Sequence, residues 1–86
     1  MGEDNLKKQL IQETEKWLNK LETLEIELLD DSQKGFAENI KAYLSDARYF
    51  FGQHDYVRAF EAVVWAWAWL EIGERLGLLR RKITDR

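Results

Sequence analysis

AVVWAWAWL, residues 62–70, is nine apolar residues in a row, with tryptophans at 65, 67 and 69 separated by alanines. Large and small residues alternate there with the period of a strand, while the sequence on either side has the period of a helix. Winding the stretch at about 100° per residue brings Ala59, Ala62, Ala66 and Gly73 within about 60° of one another, a continuous strip of small residues. Such a strip lets a neighbouring backbone come close. Tyr56, Phe60, Val63, Trp67 and Leu70 border it on one side, Trp65 and Trp69 on the other. The alternation is therefore a helical device in which small residues form a floor and indoles form walls. It predicts a helix over about 56–76, ended by Gly77.

Just upstream, GQHDY (52–56) supplies a stop and a start. Gly52 is expected to take the left-handed C-terminal position of one helix, and Asp55 to cap the next. So short a connection makes the two helices an antiparallel pair. The earlier one is predicted over about 33–51, with Phe36, Ile40, Tyr43, Leu44, Ala47, Phe50 and Phe51 on one face. Before it, Leu6, Leu10, Trp17, Leu21, Leu24 and Leu28 follow a 3-4 spacing, with Thr14 in the gap. Ile11, Leu18 and Leu29 widen this seam to face two neighbours, Asp4 offers an N-cap, and Asp30-Asp31-Ser32 ends the run. The first helix is thus placed over about 5–29. The expected fold is all-α: residues 1–86 as a single up-down-up three-helix bundle with a basic tail over 78–86. Handedness stays open, because the pattern fits both mirror arrangements.

Composition agrees with that frame. There is no proline and there are five glycines in 86 residues, so little interrupts a helix. A net charge of −3 provides no global field for nucleic acid or anionic lipid and argues against both as partners. The absence of cysteine excludes disulfides and thiolate metal sites. The amino terminus has no apolar signal core, and residues 62–70 fall far short of the roughly 20 apolar residues of a membrane span. The expectation is a soluble, cytoplasmic protein.

Chemistry has few footholds. One histidine, His54, cannot make a multi-histidine metal site, and no E-x-x-H is present. Arg48 and His54 have an R-x5-H spacing that resembles the signature of the HEPN nucleases, but that match is two residues and His54 falls in a turn. Glu22, Glu25, Glu27, Asp30 and Asp31 crowd one region without a nucleophile or cleft, the pattern of a solvated acidic surface. Ser32 and Ser45 have no histidine on a matching face, and there is no glycine-rich phosphate loop. The chain reads as a non-enzyme with no cofactor and no metal.

The stretch ARYFFGQHDYVRAFEAVVWAWAWLEIGERLGL, residues 47–78, resembles the small archaeal proteins grouped as domain-of-unknown-function family 357. The likeness covers the second and third helices, and the first by length and pattern. It implies an archaeal source and a three-helix bundle of the albumin-binding-domain type, and it implies no activity. A fainter likeness to translin, a helical family that binds single-stranded nucleic acid, rests on Asp55-Tyr56 with Arg58 and on Leu79-Arg80-Arg81-Lys82.

Two surfaces follow as candidates. Trp65 lies about 160° around the third helix from Trp67, and one small bundle does not readily bury both. Either the carboxyl-terminal tail covers Trp65, or Trp65, Ala68 and Ile72 form a contact face for a second copy of the chain or another protein. Arg80, Arg81 and Lys82 are the candidate phosphate contacts, a cluster that is also explained by the negative end of the preceding helix.

Overall fold

The structure, a computed structural model, describes residues 2–82, with side chains from residue 4 onward. It has three helices, α1 (Gly2–Thr23), α2 (Lys34–Gly52) and α3 (Tyr56–Arg75), and two short strands, β1 (Ile26–Leu28) and β2 (Leu79–Arg81). A single 3-10 turn, Asp31–Gln33, leads into α2. The fold is an all-α three-helix arrangement, and α2 and α3 lie within one residue of their predicted bounds.

α3 is the helix around which the others pack. Its small-residue strip is buried, Ala59, Ala62, Ala66 and Gly73 with Val63 and Leu70 beside them. α1 brings Thr14, Leu18 and Leu21 to this core, and α2 brings Ile40 and Ala47. Thr14 tolerates full burial because its hydroxyl donates to the Leu10 carbonyl at 2.6 Å. Gly73 is small for a specific reason: a β-carbon there would lie 2.5 Å from Leu79 Cδ1 and 2.9 Å from Cγ.

The first helix departs from expectation. It ends at Thr23 rather than near 29, and Asp4 lies inside it rather than capping it. Leu24 and Leu28 fit the helical seam, but Leu24-Glu25-Ile26-Glu27-Leu28 also alternates with strand period. A distant partner decides between the two: β1 pairs antiparallel with β2 in the register Ile26↔Arg81, Glu27↔Arg80, Leu28↔Leu79. The amides of Leu29 and Lys82 extend the ladder at 2.8 Å to the carbonyls of Leu78 and Glu25. The predicted basic tail is therefore in part a strand, and its Leu79 is core, 1% exposed. Arg86 and the rest of 83–86 lie outside the described residues.

Helix ends follow backbone chemistry closely. After α3, Gly77 takes φ 74°, with its amide bonded to Glu74 and that of Leu78 to Gly73. That is the Schellman arrangement, in which the left-handed residue stands one beyond the C-cap. The same pattern ends α2: His54 donates to Phe51 and Asp55 to Phe50. There the left-handed residue is His54, φ 62°, and not Gly52, which is the last residue of the helix. Asp55 caps α3 as expected, its carboxylate accepting from the Arg58 amide at 3.2 Å.

Candidate interaction face

Each indole of the opening stretch meets a different environment. Trp69 packs edge-on against Phe36 of α2, with centroids 4.9 Å apart. Trp67 points toward α1, where its N–H donates to the Trp17 carbonyl at 3.1 Å and its ring meets that of Trp17 edge-on at 5.5 Å. Trp65 stacks beside Tyr43 of α2, 6.2 Å between centroids and 19° between planes, yet stays 55% exposed. The described part of the tail turns toward Trp67, with the Arg81 guanidinium 5.3 Å from its ring.

The outward side of α3 is unusually apolar. Val57, Val64, Trp65 and Ile72 on the helix and Leu76 at its C-cap are all between 45% and 62% exposed. Helical geometry gathers them with half-buried Ala68 into a wedge about 120° wide, opposite the buried strip. Two of the three residues singled out as a contact face, Trp65 and Ile72, are on this surface, and Ala68 lies between them and the groove beside it. That groove, of about 820 Å³, runs between α1 and α3 and is lined by Trp17, Leu24, Phe60, Val64, Trp67 and Ala68 among others. Lys20 Nζ sits 4.6 Å from the Trp17 ring at its rim.

The basic cluster has partners within the fold. Arg80 Nε donates to Glu27 at 2.7 Å directly across the two strands. Arg81 forks onto Glu74 with bonds of 2.8 and 3.1 Å. Lys82 is exposed. Two of the three candidate phosphate contacts thus hold the strand pair to itself and to α3.

The R-x5-H pair is not brought together by hydrogen bonding. Arg48 joins α2 to α1, its Nε donating to Glu22 at 2.7 Å and its Nη2 both to Glu22 and to Asn19. The guanidinium hydrogen bond holds the Glu22 carboxyl below its ordinary value of 4.5 against an opposing push from burial, and raises Arg48 in turn. His54 bonds instead to the Tyr56 hydroxyl through Nδ1, at 2.8 Å. Among the described residues no three His, Asp or Glu side chains are grouped to hold a metal ion. No described helix is long and apolar enough to cross a membrane.

These features coincide with a known family. A family model described as a protein of unknown function, DUF357, matches residues 9–79. The crystal structure of protein AF1782 from Archaeoglobus fulgidus, described with the same family model, is 51% identical and similar in fold with a TM-score of 0.75. The match covers 90% of this chain and 99% of that one. No curated protein matches. The chain belongs to the DUF357 family of proteins of unknown function.

Proposed function

We propose that the protein is a non-catalytic interaction module whose contact face is the outward side of α3, centred on Trp65, Ala68 and Ile72. The observation that carries this reading is the concentration of exposed large apolar side chains there, five of the eight among the described residues: the others, Leu6, Leu29 and Tyr49, are scattered elsewhere in the fold. Isolated apolar residues on a surface need no explanation, whereas a cluster along one helix, here interrupted by Glu61, is a recognised mark of a binding surface. Trp65 also suits this role physically. Stacking on Tyr43 restricts its rotamers before any partner arrives, and a pre-ordered aromatic anchor loses less entropy on binding.

Photo-crosslinking in expressing cells tests the face whatever occupies it. A photoreactive side chain at position 72 is expected to give adducts that disappear in the Val64→Glu background, while one at exposed position 38 on α2 gives none. Absence of adducts from position 72, or equal yields from both positions, overturns the reading.

A further inference from the structure

We infer that the occupant of this face is a second copy of the chain, docked α3 against α3 in antiparallel sense about a two-fold axis at Ala68; this rests on the reading of the face given above. The outward side of α3 has a pattern that is complementary to itself. Val64 stands four residues before Ala68 and Ile72 four after it; Glu61 stands seven before and Arg75 seven after. The five positions 61, 64, 68, 72 and 75 follow 3-4-4-3 spacing and occupy a wedge of about 80°.

A two-fold axis through position 68 sets each residue opposite the one equally far on the other side. Val64 then meets Ile72 of the second copy, and Glu61 meets Arg75 of the second copy, each contact occurring twice. Glu61 and Arg75 are exposed, and neither makes an ion pair or side-chain hydrogen bond among the described residues, in contrast to Glu22, Glu27, Glu74, Arg48, Arg80 and Arg81. A parallel pairing would instead set Glu61 against Glu61 and Arg75 against Arg75, so charge selects the antiparallel sense. Ala68 at the axis keeps the crossing free of bulk, where helix axes approach to about 8 Å. Trp65 lies on the same flank of α3 as Ile72, and the symmetry brings it alongside Ile72 of the second copy.

Equilibrium sedimentation of the full chain, from about 10 to 500 µM, covers the affinity expected of an interface near the small end of the specific range, about 1,000 Å² in total. The wild type is expected to dimerise. Glu61→Arg and Arg75→Glu are each expected to weaken the dimer about tenfold, since each places like charges together twice. The Glu61→Arg/Arg75→Glu double variant reverses both charges, restores both pairs and should return within about threefold of wild type. These positions are exposed, and helicity by circular dichroism checks that each variant folds. A wild type that stays monomeric overturns the second-copy assignment, while adducts from position 72 would still uphold the contact face. A dimer that resists both single reversals, or one that the double reversal fails to restore, overturns the register.

Discussion

Truncating Leu79 should reverse the sign of a substitution at Gly73. In the wild type, a β-carbon at position 73 meets Leu79 Cδ1 at 2.5 Å and Cγ at 2.9 Å, and Leu79, 1% exposed, yields only by repacking its buried surroundings. Alanine in place of glycine stabilises a helix by up to about 1 kcal/mol, whereas overpacking a closed core costs about 1–3 kcal/mol. Gly73→Ala should therefore destabilise by about 1 kcal/mol. Leu79→Ala opens a cavity and should cost about 3 kcal/mol, out of the roughly 4–13 kcal/mol expected for a domain of this size. Once Leu79 is truncated, the methyl at position 73 has space and the helical gain returns, so Gly73→Ala should stabilise that background by about 1 kcal/mol. The coupling, about 2 kcal/mol, is read from a double-mutant cycle of urea unfolding followed by tryptophan fluorescence. If Gly73→Ala shifts stability in the same direction in both backgrounds, Leu79 is not seated against Gly73 and the docking of β2 on α3 is misassigned.

The link between α1 and α2 predicts a pH and salt signature. Because the Glu22 carboxyl is held below its ordinary value of 4.5 by Arg48, its contribution is fully present above that pH and is lost as the pH falls through the folded-state value. Glu22→Gln should cost about 0.5–1 kcal/mol near neutrality, a small effect because both side chains are a third or more exposed, and the difference from wild type should shrink in acid. Raising the salt to about 1 M should shrink it as well. Urea midpoints across pH and salt measure both trends, and a difference that stays constant contradicts the assignment.

Much of the architecture is legible in the chain because its strongest signals are local. The strip Ala59, Ala62, Ala66, Gly73 requires only helical winding to appear, and each of these residues is buried. Asp55 as an N-cap and Gly77 as a C-terminal glycine are likewise written within a few residues. The strand pair is different in kind. Ile26 faces Arg81 across more than fifty residues, and neither short segment is a strand without the other. The alternation over residues 24–28 was the one available signal, and it competed with a helical seam that the same leucines satisfied. His54 in the left-handed position hides for a related reason: a glycine two residues earlier looks like the better candidate until the hydrogen bonds of the Schellman motif fix the register. Of the candidate surfaces, the exposed position of Trp65 follows from its angle on the helix, while the carboxylates that engage Arg80 and Arg81 depend on the fold.

The central claim, that the outward face of α3 binds a second copy, is tested most directly by following the four indole N–H signals in two-dimensional NMR spectra as the protein is diluted. The Trp65 signal and the backbone amides of 61–75 should shift together with concentration, while the Trp67 signal, fixed by its bond to the Trp17 carbonyl, stays in place. A spectrum independent of concentration, or shifts centred on Trp17 and Trp67 in the groove, would contradict it.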